Sequence, residues 1–286
     1  MKMPKRLKPL FEDGLIDDVI SSLMSGKEAS VYVVRCGDIT RAAKVYKDAA
    51  KRSFKKAVQY QEGRKVRNSR RQRAMEKGSK FGRDQQEEAW QSAESDALVR
   101  VANAGVRVPN SYGCYDGVLL MDLIATDDGS VAPRLNDVTM SAEQAIEDHT
   151  LMMHYIMRML SVGIVHGDLS EFNVLVDDYG PVIIDLPQAV DAAGNNNAHG
   201  MFVRDVDNIT NYYAQFAPEL KHTQYASEIW SHFEEGTLDP DMTLTGQFEA
   251  QEVSADVDSV LEEIKAAFAE EQERQERIRS ADQPDD

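Results

Sequence analysis

The apolar and polar positions of the first 124 residues predict short strands and one long helix. Apolar residues three and four apart across 16–23 predict a short helix. Runs rich in β-branched and aliphatic residues predict strands at 31–34, 41–46, 111–115 and 118–124. A helix is predicted over 85–104, ended by Gly105. Its apolar face comprises Trp90, Ala93, Ala97, Leu98 and Val101.

The second half of the chain reads as helical apart from one tight hairpin. Val174–Val176 and Val182–Ile184 are aliphatic runs separated by the turn-forming stretch Asp177–Pro181. Residues 141–160 predict a helix whose inward positions are Ala145, Ile146, His149, Met152, Met153, Ile156, Met157 and Leu160. Further helices are predicted from Met201, over 216–233 and over 257–280, with a linker at 234–256.

Three polar residues stand just outside the hairpin strands: Asp168, Asn173 and Asp185. Phosphoryl transfer needs such a set, because a carboxylate must orient the attacking hydroxyl while an amide and a second carboxylate hold Mg²⁺ on the phosphates. Each residue alone is an ordinary turn residue. Together, in the order H-x-D-x-x-x-x-N followed by a hairpin and Asp, they resemble the catalytic and metal-binding loops of the protein-kinase fold.

Lys44 lies inside an apolar strand, where an unpaired ammonium would be costly. Glu94, beside the apolar face of the long helix, is the predicted partner. The functional interpretation is a nucleotide-binding lysine. The alternative is an ordinary lysine at a strand edge. The S-G-K-E sequence at 25–28 is likewise a weak signal and would by itself indicate a plain turn.

Several motifs together resemble the RIO-type atypical serine/threonine protein kinases, in a bacterial-like minimal form. The specific parts are the octapeptide H-G-D-L-S-E-F-N at 166–173 and the segment S-G-K-E-A-S-V-Y at 25–32. The resemblance covers about residues 15–225. Compared with conventional protein kinases, Gly167 stands in place of Arg, and Leu186-Pro187 follows the metal-loop aspartate in place of Phe-Gly.

The resemblance implies a role for each site residue. Asp168 corresponds to the catalytic base, and Asn173 and Asp185 to the metal ligands. Lys44, paired with Glu94, corresponds to the lysine that holds the α and β phosphates. In this family Asp185 also corresponds to an aspartate that takes up phosphate, which implies ATPase-like turnover. Further ATP contacts are implied at the turn that replaces a glycine-rich loop and at the hinge: Ser25, Gly26, Lys27, Ser30, Met121, Asp122 and Ile124.

The expected fold is therefore α+β: a two-lobed, protein-kinase-like fold in a trimmed RIO form that lacks the activation segment and the peptide-docking helices. The expected domains are a basic N-terminal lead at 1–14, a kinase N-lobe at 15–124, a C-lobe at 125–233, and an acidic linker with a C-terminal helix at 234–286. The N-lobe is expected to contain a mobile basic insertion at about 48–84.

The composition predicts a cellular compartment and shows that charge is distributed unevenly along the chain. The chain has 286 residues, two isolated cysteines and no apolar run near the roughly 18 residues that span a bilayer, so a soluble cytoplasmic protein without membrane contact is expected. Although the net charge is −17, residues 41–83 hold 16 Lys and Arg against 3 acidic residues. Residues 227–286 hold 18 acidic residues against 4 Lys and Arg.

The predicted function is ATP- and Mg²⁺-dependent phosphoryl transfer, with Mn²⁺ as an alternative ion, acting on an unidentified protein substrate, on the chain itself or on water. The resemblance also implies ribosome maturation, with RNA contacting the basic segment 51–83, which could equally be a solvated loop. Two alternatives stay open: a small-molecule kinase of the aminoglycoside or choline type, and a nucleotide-gated assembly factor whose ATPase times release from a partner.

Overall fold

The computed structural model describes residues 3–47 and 80–249, with side chains from residue 92 onward in the second range. Apart from Glu249, these residues belong to one compact unit, Met1–Phe248. The predicted helix at 257–280 and most of the predicted basic insertion lie outside the described residues.

A five-stranded antiparallel sheet forms the smaller lobe, because the β-branched runs of this region pair in hairpins and bury one face. Its strand order is β1-β2-β3-β5-β4. The strands are β1 (Asp18–Ser25), β2 (Ala29–Cys36), β3 (Ile39–Tyr46), β4 (Ser111–Tyr115) and β5 (Val118–Asp122). The predicted long helix is present as α2 (Lys80–Asn103), and its Leu98 and Val101 are fully buried in the main core.

The helix predicted over 16–23 is wrong. Residues Asp18–Ser25 form strand β1, paired antiparallel with β2. The helix lies earlier, as α1 (Lys8–Glu12) within the lead, where Leu7 and Leu10 are buried against the sheet in a second core cluster. Pairing with β2 satisfies the backbone hydrogen bonds of this short segment along its length. The helical spacing of its apolar residues covers only two turns and cannot outweigh that pairing.

The larger lobe is built around two long helices, α3 (Ala142–Ser161) and α4 (Ala198–Tyr213). The Ser141 hydroxyl accepts the Gln144 N–H at 3.2 Å and caps α3. Its predicted inward face is buried except for Ile146, which is 37% exposed. The remaining elements are β6 (Ile164–Val165), β7 (Val174–Asp177), β8 (Gly180–Ile183), β9 (Val190–Asp191) and α5 (Tyr225–Glu234).

The connection between the two lobes is held at Arg107, which lies between α2 and β4. Its guanidinium donates to the Asp177 carboxylate at 2.6 Å and to the Gly180 carbonyl at 3.1 Å. Its carbonyl accepts the Ile183 N–H at 2.9 Å. All three partners lie on the β7–β8 hairpin, so the segment that leaves α2 is fixed directly to the hairpin carrying the predicted metal loop.

The fold is the predicted two-lobed, kinase-like arrangement in its trimmed form. Only residues 186–197, all of them described, separate Asp185 from helix α4, and this is too short for an activation segment. Among the described helices none combines the length and apolar character needed to cross a bilayer.

Candidate active site

The predicted pairing of Lys44 with Glu94 is confirmed. Strand β3 presents Lys44 inside the smaller lobe with 7% of its surface exposed, and α2 brings the fully buried Glu94 to it. The Lys44 ammonium donates to the two Glu94 oxygens at 2.6 and 2.8 Å and to Asp185 Oδ1 at 2.5 Å. The Tyr46 hydroxyl also donates to Glu94. One ammonium therefore joins the helix of the small lobe to the metal loop of the large lobe.

Opposing electrostatic effects fix the charges of this cluster. Burial disfavours the charged form of Lys44, but the Glu94 and Asp185 carboxylates outweigh it, so the Lys44 pKa is raised. Burial would raise the pKa of Asp185, yet the Lys44 ammonium outweighs that effect and the pKa is lowered. Lys44 is consequently cationic and Asp185 anionic at neutral pH, as phosphate binding and metal binding respectively require.

The loop 166–173 begins directly after strand β6 and is shaped by its own side chains. The Asn173 side-chain amide donates to the Asp168 carbonyl at 2.8 Å, and the Ile184 N–H donates to the Asn173 carbonyl at 3.0 Å. Asp185, the next residue, has a φ of +70°, a conformation uncommon outside glycine and often associated with function. These bonds bring Asp168, Asn173 and Asp185 to one edge of the β7–β8 hairpin.

Asp205 was not identified from the sequence, although it anchors this loop. It lies on α4 with 2% of its surface exposed, and its carboxylate accepts the Gly167 N–H at 2.7 Å and the Leu169 N–H at 3.0 Å. The neighbouring Arg204 donates to the Gly167 carbonyl. Asp205 shares the inward face of α4 with Met201, Phe202 and Ile209, and a carboxylate on an otherwise apolar helix face is the signal that could have identified it.

Gln188 was also missed. Its side-chain amide donates to the Asp168 Oδ2 at 3.3 Å. Its own carbonyl oxygen is buried and has no hydrogen-bond partner among the described residues. Gln188 follows Asp185 by three residues on the metal loop, so the orientation of the predicted base is coupled to the loop that carries the predicted metal ligand.

The turn predicted to cover the phosphates is closed by a hydrogen bond from the Gly26 N–H to the Ala29 carbonyl at 2.9 Å. The hydroxyls of Ser25 and Ser30 lie 3.0 Å apart across it. From the end of strand β3, the Lys47 ammonium donates to the Ser25 hydroxyl at 3.3 Å and to the Gly26 carbonyl. Lys27 is exposed on the same turn. The turn therefore presents hydroxyl, amide and ammonium groups without a glycine-rich sequence.

The predicted hinge residues end strand β5. Met121 and Asp122 are its last two residues, while Ile124 lies beyond the strand, which is shorter than the predicted 118–124. The Asp122 N–H donates to the Asn110 carbonyl at 3.1 Å, and the Ile124 carbonyl accepts the Ala132 N–H at 3.0 Å. Those two backbone groups are thus used within the protein, in the segment that joins the lobes.

The donor set suits Mg²⁺, a cation that prefers oxygen ligands and retains waters and substrate phosphates in its coordination shell. The Asn173 amide nitrogen is committed to the Asp168 carbonyl, so its oxygen is the end suited to a cation. Asp185 supplies an ionised carboxylate beside it. Among residues 3–47 and 80–249 no cluster of three His, Cys, Asp or Glu side chains forms a metal cage.

Comparisons with known proteins agree with this geometry. A family model described as the RIO domain matches residues 30–226. The RIO-type serine/threonine-protein kinase Rio1 of Haloferax volcanii is 33% identical over 71% of this chain and 66% of its own length. Its namesake in Methanocaldococcus jannaschii is 32% identical over 69% of this chain and 63% of its own. The human serine/threonine-protein kinase RIO1 is 30% identical over 80% of this chain and 38% of its own.

The chain therefore spans less than two thirds of the length of these three relatives. The matched region nevertheless contains Lys44, Glu94, the loop 166–173, Asp185 and helix α4, while residues 25–29 of the phosphate-covering turn precede it. With the RIO model matched over most of its length, this chain belongs to the family of RIO-type serine/threonine protein kinases.

Proposed function

We propose that this chain catalyses ATP- and Mg²⁺-dependent phosphoryl transfer to serine or threonine hydroxyls, its own included, with ATP hydrolysis as a companion reaction. One observation carries the proposal: the Lys44 ammonium bonds at once to Glu94 of the small lobe and to Asp185 of the large lobe. A purely structural lysine needs only one carboxylate. A lysine that bridges both lobes at the metal loop is placed to hold nucleotide phosphates beside the metal.

The residues act as follows in this proposal. Asp168 accepts the proton of the attacking hydroxyl, oriented by the Gln188 amide. Lys44 holds the α and β phosphates, while Asn173 and Asp185 hold the metal. Bound Mg²⁺ would supply charge neutralisation on the β and γ phosphates. The Ser25–Ser30 turn covers the phosphates.

At the hinge, the Asp122 N–H and the Ile124 carbonyl are already bonded within the protein. The adenine contacts proposed for this segment therefore fall to the Asp122 carbonyl and the Ile124 N–H, next to Met121.

ATP hydrolysis can proceed through Asp185 itself. Its carboxylate oxygen attacks the γ-phosphorus, the bond to the β-phosphate oxygen breaks, and ADP leaves. Water then cleaves the aspartyl-phosphate, releasing phosphate and restoring the carboxylate. The lowered pKa of Asp185 favours this route, since only the ionised carboxylate is a nucleophile. Protein labelled from γ-labelled ATP should then carry label that hydroxylamine removes, and Asp185→Asn should lose it.

The decisive experiment replaces Asp168. Asp168→Ala should abolish phosphate transfer and leave nucleotide affinity within about twofold, because the base contributes to the reaction rather than to binding. Asp38→Ala, in an exposed hairpin of the small lobe, is the matched control and should match the wild type in both measurements. Full phosphoryl transfer by Asp168→Ala would reject the proposal.

The RIO family membership favours a protein kinase over a small-molecule kinase of the aminoglycoside or choline type. Rapid turnover with one amino alcohol or aminoglycoside would reverse that order. A nucleotide-gated assembly factor uses the same site differently, and slow hydrolysis insensitive to added proteins would favour it. Stoichiometric labelling of one protein, identified by comparing phosphoproteomes of wild type and Asp168→Ala, would favour the kinase.

RNA is the macromolecular partner proposed for the basic segment 51–83, which lies almost entirely outside the described residues. Neutralised phosphates release counterions, so RNA affinity should fall about tenfold or more between 50 and 200 mM salt. Neutral replacements in the segment should remove binding and leave ATP hydrolysis intact; unchanged RNA affinity would reject this role. The positions to replace are Arg64, Lys65, Arg67, Arg70, Arg71 and Arg73.

A further inference from the structure

Arg134 lies where the chain enters the large lobe after the hinge. Its backbone forms an isolated antiparallel bridge with Leu175 of strand β7. The carbonyl of the preceding Pro133 accepts the Val176 N–H at 2.9 Å. These contacts fix the base of the Arg134 side chain against the hairpin that leads to Asp185, so its guanidinium extends from a rigid support.

The Arg134 side chain reaches the small lobe. Its Nη2 lies 2.6 Å from the Sδ of Met24, the strand β1 residue directly before the Ser25 turn. A thioether is a weak and uncharged acceptor, so it leaves the guanidinium charge uncompensated. Among the described residues this guanidinium has no ion pair and no other hydrogen bond. A half-buried arginine in that condition has four N–H donors available to a ligand.

The two ends of Arg134 place those donors between the phosphate-covering turn and the predicted metal ligands. Its backbone is bridged to Leu175, two residues beyond Asn173 on strand β7. Its guanidinium touches Met24, the residue next to Ser25. Arg134 therefore connects the strand that follows Asn173 with the turn that covers the nucleotide phosphates in the proposed function.

We propose that Arg134 is a second anion-binding residue of the nucleotide cleft, which exchanges its Met24 contact for phosphate oxygens when nucleotide binds. The inference rests on the proposed function and adds to it a determinant of specificity for charged nucleotides. A guanidinium presents a rigid fork of donors that matches phosphate oxygens, and charge-assisted bonds of this kind are stronger than neutral ones. Lys44 alone would supply only a compact point charge.

The test compares nucleotides that differ in charge. ATP, ADP and adenosine are titrated by calorimetry, with Mg²⁺ present, into the full chain and into Arg134→Gln, Arg134→Lys and the control Arg35→Gln. Arg134→Gln should weaken ATP binding about tenfold or more and change adenosine binding less than twofold. Arg134→Lys should fall between, because it keeps the charge and loses the fork. Arg35 is exposed at the far end of strand β2 and its variant should match the wild type.

Each other outcome identifies a specific failure. An equal loss of affinity for ATP and adenosine would mean that Arg134 only supports the cleft through Met24, and would overturn the inference. Unchanged ATP affinity in Arg134→Gln would overturn it as well. Wild-type protein that binds neither ATP nor ADP would instead reject the proposed function, on which the inference depends. Should Arg134→Gln unfold, the ATP-to-adenosine ratio of Arg134→Lys decides, and a wild-type ratio overturns the inference.

Discussion

Replacing Asp205 with Asn tests whether the loop 166–173 is held in place from helix α4. The Asp205 carboxylate accepts two backbone N–H groups, those of Gly167 and Leu169, at 2.7 and 3.0 Å. These two residues flank Asp168, so the same bonds set the position of the predicted base. Asparagine keeps the shape but turns one oxygen into an NH₂ group, which then faces an N–H donor and leaves it unsatisfied.

The magnitude follows from the bonds that are changed. A hydrogen bond to a charged group contributes about 1.5–3 kcal/mol, and a factor of ten in rate corresponds to about 1.4 kcal/mol. Losing one such bond should therefore lower kcat about 10- to 100-fold, provided that the loop must hold its present form during transfer. Nucleotide affinity should change little, because Lys44 and the hinge are untouched.

Stability should respond less than activity. Burial raises the pKa of Asp205 above its ordinary value, and the two backbone N–H groups offset this only in part. A raised pKa in the folded state means that ionisation costs folding free energy, a cost that appears as pH rises through that pKa. Neutral asparagine avoids the cost at pH 7 and thereby compensates for part of the lost hydrogen bonding.

The assay measures initial rates of phosphate transfer, nucleotide affinity and urea unfolding for Asp205→Asn. Asp207→Asn, an exposed change on the same helix, is the control and should resemble the wild type in all three. Wild-type kcat in Asp205→Asn would refute the reasoning. A fall in kcat matched by an equal fall in nucleotide affinity and by loss of cooperative unfolding would show that Asp205 supports the lobe as a whole instead.

Three further predictions concern buried polar groups. Burial lowers the pKa of His149 from 6.5 to about 4, so between these pH values the unfolded chain binds a proton that the folded chain does not. The unfolding free energy should therefore fall by up to about 3 kcal/mol as the pH is lowered from 6.5 to 4. Urea titrations of His149→Gln should lack this pH dependence. Gln188→Leu should lower kcat about tenfold at unchanged ATP affinity, and Gln188→Glu should lower it further by placing a like charge beside Asp168; equal rates in both variants would contradict this. Tyr46→Phe removes a donor from the buried Glu94 and should cost about 1 kcal/mol of unfolding free energy in urea, with unchanged stability as the contrary result.

The pairing of Lys44 with Glu94 could be predicted from sequence because Lys44 is a charged position within an apolar strand and Glu94 lies beside the apolar face of the long helix. A buried ammonium needs an anion, and the long helix offered one beside its apolar face. The hairpin at 174–183 was equally accessible, since two aliphatic runs around an Asp-Asp-Tyr-Gly-Pro turn leave few alternatives. Local pattern determined both features.

The segment 16–23 shows where local pattern fails. Its apolar spacing fits one short helix, but eight residues are too few to stabilise a helix in isolation. The structure of the segment is decided by its pairing with strand β2. That strand is a separate stretch of the chain, so the sequence of 16–23 alone does not reveal the pairing. The short helix forms earlier in the chain, as α1. Its Leu10 packs together with Leu7 in the second core cluster. Such a choice depends on tertiary contacts, which periodicity does not report.

For a related reason, the sequence did not identify three residues of the site region: Asp205, Gln188 and Arg134. Motif reasoning finds residues at fixed positions in a known sequence pattern. Asp205 instead accepts backbone amides of another segment, Gln188 bonds another side chain, and Arg134 contacts a residue of the other lobe. Asp205 is separated from Gly167 by 38 residues and Arg134 from Met24 by 110. Lys44 and Glu94 are also far apart, but their opposite charges predict a pairing, whereas no sequence signal pairs Asp205 with backbone amides or Arg134 with Met24.

In the proposed function, the charges around Lys44 would couple the binding of metal to the binding of nucleotide. Glu94 and Asp185 are two carboxylates sharing one ammonium, so the cluster carries one net negative charge. A triphosphate arriving alone would meet the exposed part of Asp185, whose side chain is 42% accessible, and would be repelled by it. In the proposed function, a divalent cation on Asp185 would change the charge of the cluster to one net positive charge and would free Lys44 to bind phosphate. Nucleotide would then compensate that charge, so each ligand would create the electrostatic conditions that the other needs.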